Sequence, residues 1–336
     1  MKNFLPEGVL ARLTEFRARQ PEAILEILKN RRAGPRKTPD GRLNLLAADH
    51  PARGVTQVRS QDLAMGDRHD YLARILRVVA GNGVDGVMAT MDILEDLLIL
   101  DHLVTQAGGE SFTDDKLLIP SLNRGGLLDS AWELDDPITG ASPDACARWG
   151  MDGGKLLLRV DPEDRDSLKT LRYCAQAITR LAELGLPCFL EPLPVKKVEG
   201  KYRVVREAEA IARLVGVATA LGESSRHIWL KLPFCPDYEI VAKSTTAPIL
   251  LLGGPASDAP ASILEEVAQG LAAGANVRGT LLGRKVLYPG DADPLAVARA
   301  VSSLVHEDAT LDRATASIPS QEEAAWAHAD APWHRL

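Results

Sequence analysis

Eight short apolar runs rich in Leu, Val and Ile alternate with longer amphipathic segments. That alternation predicts an α/β fold, a (β/α)8 TIM barrel with an N-terminal helical extension and a C-terminal tail. Length agrees, since 336 residues hold a barrel of about 250 together with both additions. A doubly wound open sheet is the competitor, and it would carry a Gly-rich phosphate turn after its first strand. Here the first run closes as Ala47-Ala48-Asp49-His50-Pro51, and no G-x-G-x-x-G follows.

Taken in order, residues 1–35 read as helical, with Leu10, Leu13, Phe16 and then Ile24, Leu25, Ile27 and Leu28 at helix spacing, and a Pro/Arg/Gly-rich stretch from Ala33 to Gly41 ends that pattern. The extension, 1–40, is expected to pack on one end of the barrel. The predicted strands are Leu43–Asp49, Val84–Ala89, Lys116–Leu122, Lys155–Val160, Pro187–Leu193, His227–Pro233, Pro248–Gly253 and Gly279–Val286. The predicted helices between and after them are Asp67–Ala80, Met91–Ala107, Pro143–Trp149, Arg165–Leu184, Val205–Leu221, Tyr238–Thr245, Ala261–Ala273 and Pro294–Val305. The barrel therefore spans 41–305. Residues 306–336, polar and Ala-rich with Trp326 and Trp333, form a tail expected to fold over the surface or a partner subunit.

Composition narrows the function. The chain is 46% hydrophobic and 25% charged with 4% aromatic residues, which excludes disorder, collagen-like repeats and coiled coil. A net charge of −7 without a basic cluster argues against a nucleic-acid partner. The longest apolar runs, Leu97–Leu100 and Ile249–Leu252, are far too short for a bilayer, so no membrane association is expected. No charged-then-apolar leader opens the chain. Cys146, Cys174, Cys188 and Cys235 are then most simply reduced thiols, and the expected compartment is the cytoplasm.

In such a barrel the active site lies at the C-terminal strand ends, so the informative residues are polar ones that interrupt apolar strands there. Lys231, in Ile-Trp-Leu-Lys-Leu-Pro, is costly in a strand core unless paired or neutral. A desolvated neutral amine is what Schiff-base chemistry needs, whereas a lysine snorkelling to water or held in an ion pair is the structural alternative. Lys155 opens the fourth strand, and period-two alternation puts Lys155, Leu157 and Arg159 on one face. If that face is the lumen, Lys155 helps keep Lys231 neutral and Arg159 offers a guanidinium to an anion. Glu191, in Phe-Leu-Glu-Pro-Leu, is suited to shuttle protons, to pair with either lysine, or both. Asp49 is suited to orient a substrate hydroxyl or to pair with a lysine, although Asp is also an ordinary turn residue. Gly253-Gly254 after strand seven and Gly283-Arg284 at strand eight stand where barrels acting on sugar phosphates bring backbone N–H groups to the phosphate.

Other constellations fail. The seven histidines show no ligand spacing, only His50 sits at a plausible active-site strand end, and no metal is expected. There is no G-x-S-x-G, and no cysteine has the neighbourhood of a nucleophile.

With these residues in hand the chain resembles the class I, Schiff-base-forming aldolases built on this barrel. Phe189-Leu190-Glu191-Pro192-Leu193 resembles the fifth-strand motif of the tagatose-bisphosphate and sulfofructose-phosphate aldolase branch, and Lys155-Leu156-Leu157-Leu158 with Asp161-Pro162-Glu163-Asp164 is similar to its fourth strand and exit. Leu252-Gly253-Gly254-Pro255 and Leu282-Gly283-Arg284-Lys285 resemble the phosphate turns of archaeal-type fructose-bisphosphate aldolases. The resemblance, over about residues 43–305, implies Lys231 as the Schiff-base lysine, Glu191 as the acid/base carboxylate, Lys155 as a second active-site lysine and Asp49 as the first-strand aspartate. Departures at His50-Pro51 and Arg159 bear on substrate identity, and either cation is a candidate for a substrate carboxylate. In overall pattern the chain is similar to bacterial barrels related to the aldolase of myo-inositol breakdown. That likeness implies 5-dehydro-2-deoxy-6-phosphogluconate as substrate, no cofactor, and a homo-oligomer.

Overall fold

The computed structural model describes residues 4–34, 39–256 and 260–319. Two helices, α1 (Val9–Arg19) and α2 (Ala23–Asn30), precede β1 (Leu43–Ala48), a short 3-10 turn (His50–Arg53), α3 (Arg68–Val79), β2 (Gly86–Ala89), α4 (Met91–Gln106) and β3 (Leu117–Pro120). The chain continues through α5 (Pro143–Arg148), β4 (Gly154–Val160), α6 (Asp166–Glu183), β5 (Cys188–Val198), β6 (Lys201–Val204) and α7 (Ala208–Thr219). The last part comprises β7 (Ile228–Pro233), α8 (Tyr238–Lys243), β8 (Ile249–Leu252), α9 (Pro260–Ala272), β9 (Val277–Leu282), α10 (Arg284–Leu287), α11 (Pro294–His306) and α12 (Leu311–Ala316).

Eight parallel strands run in the order β3-β2-β1-β9-β8-β7-β5-β4, and β6 pairs antiparallel with β5. The remaining seam, β3 to β4, is held by one bridge, Ser121 to Lys155, because Pro120 has no N–H with which to extend the ladder. Side chains supply what the backbone omits. The Asn123 amide accepts from Leu157 N and donates to Leu157 O, both at 2.7 Å, and Asp152 accepts from Leu118 N at 2.9 Å. The sheet thus closes into the predicted barrel.

Period-two alternation divides the core. Leu43, Leu45, Ala47, Met88, Leu117, Ile119, Phe189, Leu250 and Leu281 fill the lumen. Their neighbours, such as Leu46, Leu118, Leu156, Leu190, Leu230 and Leu251, pack outward beneath the helices. Helix starts follow local chemistry. Asp67 caps α3 by accepting from His69 N and Asp70 N, and Asp293 caps α11, with Pro294 at its first turn.

The helices α1 and α2 lie along α4, where Val9, Leu13 and Phe16 are buried and Arg17 pairs with Glu95 and Asp96 at 2.7 and 2.9 Å, and Arg31 just after α2 reaches the N-terminal end of the barrel to pair with Asp152. Two expectations are corrected. The fifth strand does not stop at Leu193 but runs to Val198, residues 201–204, assigned to no element from the sequence, return as β6, and the helix expected from Val205 begins at Ala208. The eighth strand ends at Leu282, and Arg284 begins a short helix. Trp326, Trp333 and the rest of the tail beyond residue 319 lie outside the described residues. Among the described residues no helix is long and apolar enough to cross a membrane.

Candidate active site

Alternation brings Lys155, Glu191 and Lys231 onto the lumenal face of adjacent strands. Register pairs Leu157 with Glu191 across β4 and β5, and Leu190 with Leu230 across β5 and β7, so Glu191 stands beside Lys231. One carboxylate oxygen, Oε2 of Glu191, lies 2.7 Å from Lys155 Nζ and 3.1 Å from Lys231 Nζ. Asp49, at the end of β1, turns Oδ2 to Lys155 Nζ at 3.4 Å and accepts from Ser121 Oγ at 2.9 Å. Its third neighbour is the guanidinium of Arg124. Exposure is 0% at Lys155, 1% at Asp49, 5% at Lys231 and 8% at Glu191, so this charge cluster is sealed in apolar surroundings.

Burial sets the titration behaviour. It pushes the Lys155 amine well below the lysine range, with the neighbouring Arg124 adding to the effect and Glu191 opposing it. Lys231 is also lowered by burial, against the pull of Glu191. Burial would raise the Glu191 carboxyl, but Lys155 and Lys231 on either side outweigh it and hold the group below the usual carboxylate range. Two buried amines sharing one carboxylate oxygen titrate as a unit, which disfavours two ammonium ions at once. Lys231 lines a cavity of about 250 Å³, whereas the fully enclosed Lys155 does not reach it.

The same cavity is lined by Asp49, His50, Gly253, Gly254, Gly283 and Arg284, all predicted site residues, and by the apolar Ala47, Leu157, Leu193 and Leu281. Backbone freedom matters at Gly254, where φ is +70°, and close approach matters at Gly283, where an added Cβ would lie 2.5 Å from the His50 ring. Four buried polar atoms of the lining residues have no hydrogen-bond partner among the described residues: Asp49 Oδ1, His50 Nδ1, Arg124 Nε and Arg284 Nε. Native interiors satisfy such atoms, so their concentration around one cavity marks places for ligand atoms. A larger groove of about 910 Å³ lies outside the barrel between α6 and α7, faced by Leu168, Leu171, Leu214 and Val217. It contains none of these groups.

Two predicted residues have other positions or states. Arg159 does not line the cavity. Two residues beyond Leu157, at the strand exit, its guanidinium pairs with Glu133 and donates to Gly126 O at 3.1 Å, anchoring the loop after β3. Arg53 grips the same carboxylate at 3.1 Å from the other side. His50 lines the cavity, but burial, reinforced by Arg284 and Lys231, drives its pKa well below the imidazole range. That direction disfavours the imidazolium expected to meet a carboxylate, while the unpartnered Nδ1 keeps the ring a hydrogen-bonding group of the cavity.

Ser121, Arg124, Arg53 and Arg206 were missed from the sequence. The run Ser121-Leu122-Asn123-Arg124 directly after an apolar strand was the available signal for the first two. Arg206 had none, because it follows a hairpin that periodicity does not reveal.

Comparison with known proteins places this geometry. Among curated sequences none matches. Among solved structures, Cgl0159 from Corynebacterium glutamicum is similar at 35% identity and a TM-score of 0.84, covering 91% of this chain and 99% of that one. An archaeal fructose 1,6-bisphosphate aldolase is similar at 22% identity and a TM-score of 0.61, covering 84% and 99%. The fructose-bisphosphate aldolase of Slackia heliotrinireducens is similar at 14% identity and 0.62, covering 93% and 92%. At those identities the two aldolases share the fold. The Cgl0159-like family description matches residues 41–305, the whole barrel, and the chain belongs to that family.

Proposed function

We propose that the protein is a class I aldolase that cleaves a phosphorylated keto sugar or sugar acid through an imine on Lys231. The observation that carries this reading is the desolvated Lys231 amine opening onto the cavity, with the Glu191 carboxylate 3.1 Å away. The amine adds to a substrate ketone, and loss of water from the carbinolamine leaves an iminium that draws electrons from the neighbouring carbon–carbon bond. Glu191, ionised between two lysines, accepts the proton of the hydroxyl that becomes the aldehyde, and the enamine is reprotonated before hydrolysis frees the second product. Lys155, in contact with the same Glu191 oxygen, restores that proton balance from below.

The substrate that fits the reading is 5-dehydro-2-deoxy-6-phosphogluconate. Its C5 carbonyl would join Lys231, and cleavage between C3 and C4 would yield glycerone phosphate and malonate semialdehyde. Support for it is the likeness to barrels of inositol breakdown together with the phosphate-sized glycine turns. With Arg159 outside the cavity, the unmet Nε of Arg124 and the neutral ring of His50 are the groups proposed to meet that carboxylate.

Borohydride reduction in the presence of a ketose phosphate, followed by peptide mapping, tests the proposal. The label should fall on Lys231; a label on Lys155, or none, discards the imine. Release of glycerone phosphate from a panel of phosphorylated ketoses then separates the candidate substrates.

A further inference from the structure

The hairpin of β5 and β6 extends past the barrel rim and returns over the cavity. Leu193, Val195 and Tyr202 of the hairpin pack with Leu134, Leu157 and Leu252 above the lumen, and Tyr202 Oη donates to Asp164 at the top of β4. The next residues place Val204 and Arg206 in the cavity wall. The Arg206 guanidinium lies over the Gly254 turn so closely that a Cβ there would stand 2.9 Å from its Nη2. On the other side of the same wall are Gly283 and Arg284, the latter half-buried with Nε unmet. No carboxylate pairs with Arg206 or Arg284 among the described residues.

Among the described residues the other cations near the lumen each contact a carboxylate. Lys155 contacts Glu191 and Asp49, Arg124 pairs with Asp49, and Arg53 and Arg159 share Glu133. Two guanidiniums with no carboxylate partner among the described residues, set across two bare glycine turns, are the arrangement that holds one doubly charged phosphomonoester. We infer that Arg206 and Arg284 are the two jaws of one phosphate clamp, that the hairpin exists in part to deliver Arg206, and that the site has no second place for a dianion. The inference rests on the aldolase reading for its direction, since it makes the substrate a monophosphate whose far end is neutral or singly charged.

Calorimetric titration with inorganic phosphate tests it on the full chain. Wild type should bind one phosphate per chain. Arg206→Ala and Arg284→Ala should each weaken it about 10- to 100-fold, while Arg203→Ala, which removes an exposed charge on β6, leaves it unchanged. In turnover Arg206→Ala should raise KM for a ketose monophosphate by a similar factor with kcat within a few-fold. A ketose bisphosphate should bind no more tightly than a monophosphate. Phosphate affinity that ignores Arg206, or falls equally in Arg203→Ala, overturns the clamp; two phosphates per chain, or markedly tighter bisphosphate binding, overturns the single-dianion site. Failure of borohydride trapping with the clamp intact would instead sink the imine alone.

Discussion

At the N-terminal end of the barrel, Arg31 and Asp152 pair at 2.8 Å with both side chains 2% exposed, and Arg31 also donates to Lys116 O at 2.7 Å. Nearby, Thr280 donates to Asn44 Oδ1 at 2.7 Å, and His306 bridges Asp40 and Asp85 at 2.7 and 3.0 Å. Apart from the Nε of Arg31, these groups meet partners built into the chain. At the C-terminal end, by contrast, two lysines divide one glutamate oxygen, and four cavity-lining polar atoms have no partner among the described residues. Both ends bury charge. At the first end the charges lock elements together; at the second they compete, which displaces their pKa values and leaves positions for substrate atoms.

Substitutions should therefore act oppositely at the two ends. The largest effect is expected at Lys231: Lys231→Ala should abolish trapping and lower kcat/KM by about 10³-fold or more while the protein stays folded, since it removes a buried charge. Glu191→Gln should cost about 10²- to 10⁴-fold in kcat. It should also move the pH midpoint of borohydride trapping lower still, because the carboxylate that favours the Lys231 ammonium is gone while burial remains. A midpoint that rises instead would show Glu191 does not control this amine.

At the opposite end, Asp152→Asn leaves Arg31 uncompensated and weakens the β3–β4 seam. It should destabilise by about 3–5 kcal/mol in denaturant titration, with kcat of the folded fraction unchanged. The smallest effect is at His306, whose pKa is raised to about 9 by its hydrogen bond to Asp85, against burial, and by Asp40. A folded-state pKa above the unfolded one gives stability that is complete below about pH 6.5 and lost as pH rises through about 9. With the group half solvent-facing, roughly 1 kcal/mol is expected, on the order of 2 °C in Tm between pH 7 and 9.5. His306→Gln should lack that slope.

The barrel was legible because its strands are buried on both faces, which writes each as an apolar run. The same logic exposed Lys155, Glu191 and Lys231, polar residues where a strand core should be apolar. Arg159 fell to that logic as well, since alternation correctly puts it on the lumenal side but says nothing about Glu133, 26 residues earlier, turning over the lumen to meet it. His50 lines the cavity as expected, but burial, reinforced by Arg284 and Lys231, lowers its pKa and disfavours the cation, and the groups that do so are distant in sequence. The hairpin was hidden because Lys196, Lys197, Lys201 and Arg203 are exposed and interrupt any apolar run that would mark its strands.

Sequence alone determined the order of strands and helices and which strands carry polar residues in their cores, since periodicity and burial are local properties of the chain. Only tertiary structure decided that three of those residues share one oxygen, that Arg124 and Arg206 join the cavity, and which charges are left without a partner. Distance between groups remote in the chain sets those outcomes, and with them the desolvation and Coulomb balance on which a neutral amine depends.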